Sequence, residues 1–188
     1  MEWMDITRPV REGMAVYSQD EGFRAERLLR KPPGAYNLSR FTMGAHCGSH
    51  LDAPRHFLEH GATVEAAPLD LLNGRVTVLR ICGDFRPESV PEGTRRLLLA
   101  GEFSGLSEPE AEILVRRGVR LLGVSTLSVA DGAAEGPVHE ILLSSGVWIL
   151  ENLALEQVEA GEYRLMCLPL RLDGLEAAPV RAALMRRE

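Results

Sequence analysis

The sequence predicts an α/β fold in one domain, with mixed sheets and helices. Its 188 residues suit a single domain, and short apolar runs of strand type outnumber helical ones. In addition, a strand candidate at 95–100 is followed by a helix candidate at 108–117 and a strand candidate at 119–125. Such a strand–helix–strand unit indicates a parallel pair of strands.

The strand candidates are short runs rich in apolar and β-branched residues, bounded by turn-forming residues. They cover residues 75–82, 95–100, 119–125, 147–151 and 163–170. The pair Asn73-Gly74 precedes the first of them, so we expect a turn at that point.

The clearest helix candidate covers residues 108–117. Ser107 is a good N-cap, Glu110 completes a Ser-x-x-Glu capping box, and the glycine that follows is placed to end the helix. Two shorter segments, 68–72 and 137–145, are candidates for further helical turns.

Composition excludes several classes of function. A formal net charge of −6 does not favour nucleic-acid binding, and no apolar run approaches the roughly 20 residues that span a bilayer. The first residues lack the basic and apolar regions of a secretory signal, and the 3 cysteines are widely spaced. We therefore expect a cytoplasmic protein without nucleic-acid or membrane partners.

A cluster of histidines is the most informative feature of the chain. Four of the 5 histidines lie in one fifteen-residue stretch, and residues 46–56 read HCGSHLDAPRH. Imidazole and carboxylate groups are ligands that zinc and manganese take in proteins. Surface loop histidines are the alternative, but this crowding around glycine and proline favours a metal site.

The backbone of this run must bend to bring its side chains together. In a flat strand the α-carbons of His46 and His50 would lie roughly 13 Å apart, too far to bind one ion comfortably. Gly48 permits a bend, and His50 and Asp52 can point the same way on extended backbone. His46, His50 and Asp52 therefore form a candidate ligand set of the minimum size.

Two residues elsewhere could hold a second ion. They are His139, the only histidine outside the cluster, and Glu151, at the end of an apolar strand candidate. With Asp52 as a bridging ligand, a second ion would lie about 3.5–4 Å from the first. His56 would then remain as a general acid or base.

The sequence gives little support for a serine or cysteine nucleophile. The Gly-x-Ser-x-Gly motif of serine hydrolases is absent. Cys47 beside His46 could be interpreted as a thiol–imidazole pair, but adjacent residues on an extended segment point apart. Neither a serine nor a cysteine is therefore the expected nucleophile.

The run His46–His56 resembles the His-x-Gly-Thr-His-x-Asp-x-Pro-x-His signature of the cyclase family, which includes bacterial kynurenine formamidase and isatin hydrolase. Ser49 stands where threonine is usual. The similarity extends to other segments, at 3–5, 16–20, 56–69, 118–128, 139–151 and 179–181. It implies a swivelling β/β/α fold and a homodimer or larger homo-oligomer.

The resemblance also implies a metal-dependent amide hydrolase with two divalent ions, zinc in the first place and manganese as the alternative. The implied metal ligands are His46, His50 and Asp52 for the first ion and Asp52, His139 and Glu151 for the second. His56 would transfer protons. Tyr17 would bind substrate, because it falls where kynurenine formamidase has a stacking tryptophan.

The chain departs from the family pattern on the substrate side. Ser125 and Ala130 stand where aspartate is common, Leu127 stands where proline is common, and Tyr17 is not tryptophan. Three functions therefore remain open: hydrolysis of N-formylkynurenine or a related aryl formamide, hydrolysis of a cyclic amide or lactone, and non-catalytic binding of a metal or ligand.

Overall fold

The computed structural model describes residues 2–17, 20–83 and 85–186. The strands are β1 Trp3–Asp5, β2 Arg24–Leu29, β3 Leu38–Thr42, β4 His50–Asp52, β5 Asn73–Cys82, β6 Arg96–Glu102, β7 Leu121–Val124, β8 Trp148–Glu151, β9 Gly161–Pro169 and β10 Ala177–Arg186. The α-helices are α1 Leu69–Leu72, α2 Glu108–Arg116 and α3 Glu135–Ser144. None of the helices in these ranges is long and apolar enough to cross a bilayer.

Eight strands form one sheet in the order β1-β10-β4-β8-β7-β6-β5-β9. Because β9 also pairs with β10, seven of them close into a barrel, and β1 pairs with β10 outside this ring. Strands β5 to β8 are parallel neighbours, whereas the other pairings of the sheet are antiparallel. Strands β2 and β3 form a separate antiparallel ribbon. The predicted mixed α/β fold is confirmed.

Alternate residues of the parallel strands fill two different cores. On β6, Leu98 and Ala100 face the interior of the barrel, whereas Leu97 and Leu99 face α2 and α3 on the outside. All four side chains are fully buried. Burial on both faces explains why these strands are continuous apolar runs rather than alternating ones.

The predicted strands and helices are confirmed with small shifts of their ends, and the capping box of α2 forms between Ser107 and Glu110. The turn expected at Asn73-Gly74 is wrong. Helix α1 continues directly into β5, and these two residues pair with β9. The sequence pattern did not predict the ribbon, nor β10 at its full length.

The histidine-rich run bends where the sequence predicts. Gly48 has a φ of 80°, a conformation that favours glycine, and β4 follows it. After β4 the chain forms a tight turn at Pro54–His56, in which the Leu58 amide donates to the Pro54 carbonyl at 3.0 Å. Gly61 packs on this turn so closely that a Cβ there would lie 2.4 Å from the Pro54 carbonyl carbon.

We predict that Gly61→Ala destabilises the protein by about 1–3 kcal/mol, because the added methyl group must displace the backbone that carries His56. Gly22→Ala is the matched control, since a Cβ at Gly22 meets no atom within 4 Å. Urea unfolding of both variants measures the difference. Equal stability of the two variants would show that the turn tolerates the methyl group.

Candidate metal centre

The pairing of β4 with β8 brings the first members of the site together. His50 lies opposite Glu151, and Asp52 lies opposite Ile149. Leu51, between the two candidate ligands, faces the barrel interior. Because side chains alternate along a strand, His50 and Asp52 both point to the opposite face, which α3 covers.

Asp52 lies at the centre of the cluster. Its Oδ1 is 3.0 Å from His46 Nδ1 and 3.4 Å from His50 Nε2, and its Oδ2 is 3.9 Å from His139 Nε2. Glu151 approaches two of these histidines, with Oε2 3.3 Å from His50 Nε2 and Oε1 3.4 Å from His139 Nε2. The structure therefore brings together all five of the expected ligands.

His56 lies beside them. The centre of its ring is 4.2 Å from that of His46 and 5.6 Å from that of His139. Among the described residues, two groups of three side chains each bring their donor atoms within 4.8 Å of one another: His46–Asp52–His56 and His50–Asp52–Glu151. Asp52 belongs to both groups. The first group adds His56 to the side chains that could hold an ion.

Backbone carbonyls orient two of the imidazoles. His50 Nδ1 lies 2.9 Å from the Gly48 carbonyl oxygen, and His139 Nδ1 lies 2.7 Å from that of Glu135. A carbonyl accepts hydrogen bonds only, so both rings carry their proton on Nδ1 when neutral. Their Nε2 atoms then carry the lone pairs and face the carboxylates. In metal sites a hydrogen bond from the other ring nitrogen orients a histidine ligand in this way.

Four atoms at the centre of the site have no hydrogen-bond partner among the described residues. They are His50 Nε2, His139 Nε2 and both carboxylate oxygens of Asp52, all of them buried. The 3.0 Å contact from His46 to Asp52 is close enough for an ion pair but is not aligned as a hydrogen bond. Buried polar atoms are costly when unpaired. A divalent cation among them fits this donor set, because imidazole and carboxylate are ligands of zinc and manganese.

The pKa of His56 is shifted in the opposite direction to the pKa values of the other three histidines of the site. Burial opposes the charge on His50, but Asp52 and Glu151 outweigh it and raise its pKa to about 9. Against burial, Asp52 also raises the pKa of His46, and Glu151 and Asp52 raise the pKa of His139. In contrast, burial and the neighbouring imidazoles lower the pKa of His56. His56 is therefore suited to accept a proton at neutral pH.

The neighbouring histidines lower the pKa of Asp52. Burial raises the pKa of a carboxyl group, but here the neighbouring His50 and His46 outweigh burial and hold the pKa of Asp52 well below its usual range. Asp52 is 0% exposed, so its charge is balanced entirely inside the protein.

Tyr17 lies at the rim of a small cavity, about 60 Å³, that opens onto the cluster. Its hydroxyl donates to Glu135 Oε2 at 2.7 Å and lies 3.4 Å from Asp131 Oδ1. The hydrogen bond to Glu135 raises the pKa of Tyr17. Ser18 and Gln19, part of the segment expected on the substrate side, lie outside the described residues.

Some residues near the site were not predicted. Glu176 Oε1 lies 3.6 Å from His46 Nε2. Glu176 immediately precedes β10, and β10 pairs with β4, which brings Glu176 to the site. Glu135 and Ser128 line the cavity. Only the pairing of β10 with β4 brings Glu176 to the site. This pairing is a long-range contact, and no local sequence pattern predicts it.

Cys47, the thiol considered above as a nucleophile, and Ser125, a departure from the family pattern, do not line this cavity. Cys47 is fully buried, with its Sγ 3.7 Å from Met14 Sδ, and burial raises the pKa of its thiol. This environment does not favour the thiolate that a nucleophile requires. The Ser125 hydroxyl donates to the Gly101 carbonyl at 2.8 Å and is therefore committed to the backbone.

Comparisons with known proteins show the family and the fold of this chain. The Cyclase family model, described as "Putative cyclase", matches residues 4–98. Kynurenine formamidase of Bacillus cereus is 33% identical, over 97% of this chain and 97% of that protein. A solved structure described as a "potential metal-dependent hydrolase with cyclase activity" is 30% identical, with a TM-score of 0.84, and covers 100% of this chain and 98% of that one. Isatin hydrolase A from Labrenzia aggregata, bound to benzyl benzoate, has the same fold, with 22% identity and a TM-score of 0.84 over 100% of this chain and 94% of that one. The chain belongs to the cyclase family.

Proposed function

We propose that the chain is a metal-dependent hydrolase of small amides, with an aryl formamide such as N-formylkynurenine as its substrate, and that residues 1–188 act as one catalytic domain. The observation that carries this proposal is the group of buried, unpartnered atoms on His50, Asp52 and His139. The similarity to kynurenine formamidase at 33% identity supports the choice of substrate class.

The candidate ligands divide between two ions. His46, His50 and Asp52 hold the first, and Asp52, His139 and Glu151 hold the second, with zinc favoured over manganese. The two oxygens of Asp52 support a bridging role, because Oδ1 faces His46 and His50 whereas Oδ2 faces His139. Bound ions would supply an activated water and polarise the scissile carbonyl.

His56 transfers the proton in this proposal. It accepts a proton from the attacking water as the new C–O bond forms, and it donates a proton to the leaving nitrogen as the C–N bond breaks. Two features support the role: its pKa is lowered, and its ring lies next to His46 and His139 without being fully buried.

The cavity suits a small acyl group. Its volume of about 60 Å³ admits a formyl group to the cluster and leaves a larger aryl part at the rim beside Tyr17. Asp20, Asp131 and Glu135 make this rim acidic, which favours a neutral or amine-bearing substrate over an anionic one. N-formylkynurenine meets both conditions, since it has a formamide and an amino group.

The activity is tested with the protein loaded with zinc or manganese. We expect N-formylkynurenine and simple formanilides to be hydrolysed faster than isatin, and chelation to reduce the rate by at least about 10²-fold, reversibly, because water is no longer activated. Preference for isatin or a lactone would instead support the cyclic-substrate alternative. A metal-loaded protein that hydrolyses neither amides nor lactones would support the non-catalytic one.

The roles of the histidines are tested by elemental analysis and kinetics of alanine variants. His50→Ala should lose bound metal and activity together. His56→Ala should retain metal but lose activity by about 10²–10⁴-fold, the usual contribution of a general acid–base group. His60→Ala is the control, because His60 is exposed and does not line the cavity. Loss of metal in His56→Ala would make His56 a ligand, in line with its place in the His46–Asp52–His56 group.

We also propose that the chain forms a homodimer or larger homo-oligomer through the β2–β3 ribbon. Every residue of both strands is exposed, including the apolar side chains Leu28, Leu38 and Phe41. Phe41 is 61% exposed and packs only against Phe23 among the described aromatic rings. An exposed apolar ribbon of this kind is typical of a contact surface for another chain.

Phe41→Glu should therefore shift the protein toward the monomer, because it places a charge in the apolar contact. Leu69→Glu is the control, since Leu69 is 63% exposed but lies in α1, outside the ribbon. Sedimentation velocity measures the masses. An unchanged oligomer in Phe41→Glu, or a monomeric wild type, would exclude the ribbon as the interface.

A further inference from the structure

The loop between β7 and α3 carries three hydroxyl side chains, and two of them are committed to the backbone. Ser125 donates to the Gly101 carbonyl at 2.8 Å, and Thr126 donates to the Ser128 carbonyl at 2.6 Å. The third, Ser128, differs: its Oγ is buried and has no hydrogen-bond partner among the residues that the structure describes.

Ser128 lines the cavity together with His50, His56 and His139. A contact of the next residue holds the backbone at Ser128 in place. The Val129 amide donates to Glu151 Oε1 at 2.7 Å, and this hydrogen bond is buried. The backbone that carries Ser128 is thus tied to a candidate metal ligand. A free hydroxyl is held in a constant place beside the atoms where the reaction is proposed to occur.

A buried hydroxyl without a partner costs free energy, so a native structure retains one where a ligand supplies the partner. A hydroxyl group offers one donor. None of the four histidine rings of the site makes a hydrogen bond to Ser128 Oγ in the described residues. Without a base to remove its proton, this serine is not arranged as a nucleophile.

We infer that Ser128 donates a hydrogen bond to the oxygen atom of the ligand bound at this centre, which in catalysis is the carbonyl oxygen of the amide. This rests on the proposed function. As water adds to the carbonyl carbon, the oxygen gains negative charge, and the hydrogen bond strengthens. The C–N bond then breaks and the nitrogen receives its proton from His56. Ser128 retains its own proton throughout.

Kinetics of variants in the metal-loaded enzyme form the first test. Ser128→Ala should lower kcat by about 10²-fold with little change in KM, as loss of an oxyanion donor does, and should keep the same metal content. Ser128→Thr, which retains the hydroxyl, should recover at least about a tenth of the wild-type kcat. Ser89→Ala is the control, because it removes a hydroxyl that donates to a backbone carbonyl, that of Arg86, outside the site. It should lower thermal stability and leave kcat unchanged.

Binding of formate, the acid released from a formamide, is the second test and does not require activity. By calorimetry, metal-loaded Ser128→Ala should bind formate about tenfold more weakly than wild type, because a hydrogen bond to a charged oxygen is lost. Equal formate affinities, an unchanged kcat, or loss of metal in Ser128→Ala would overturn the inference, as would a wild type that binds no formate. A wild type that hydrolyses no amide but shows the tenfold difference would refute the proposed function and still support the hydrogen bond.

Discussion

Asp52 is a carboxylate that is fully removed from solvent and placed among three imidazoles. A buried charge of this kind is tolerated only when its surroundings compensate it. Two means of compensation are available: protons on the histidines, as the raised pKa of His50 indicates, or a divalent cation. Since ligands must be deprotonated before they bind a metal, the two compete, and binding of the cation releases protons. The geometry of the whole site follows from meeting this one requirement.

The candidate ligands and the rim of the cavity lie on elements of different rigidity. His50, Asp52 and Glu151 lie on β4 and β8, which are buried strands in a closed sheet, and such elements position side chains more accurately than loops do. The rim is built differently, with Tyr17 and Asp131 on irregular segments. This division accounts for the pattern in the sequence, where the candidate ligands match the family signature while the substrate side departs from it at Ser125, Leu127 and Ala130.

Local sequence patterns predicted the features that depend on interactions between residues close together in the sequence. The bend at Gly48, the capping box of α2 and the parallel strands all follow from short-range preferences. The convergence of the ligands depends instead on register, because His50 meets Glu151 only when β4 pairs antiparallel with β8. No local pattern encodes that pairing, and the family resemblance implied the ligand set without predicting which strands pair. The contact of Glu176 and the free hydroxyl of Ser128 remained unpredicted, since both depend on distant neighbours.

The measurement that tests the central claim most directly is anomalous diffraction from crystals grown with zinc or manganese and without chelator. We expect two anomalous peaks bonded to Asp52, one with His50 Nε2 and the other with His139 Nε2 among its ligands, at roughly 2.0–2.2 Å. A well-ordered structure at full cation supply, in which waters satisfy these three side chains and no anomalous density lies between them, would contradict the account.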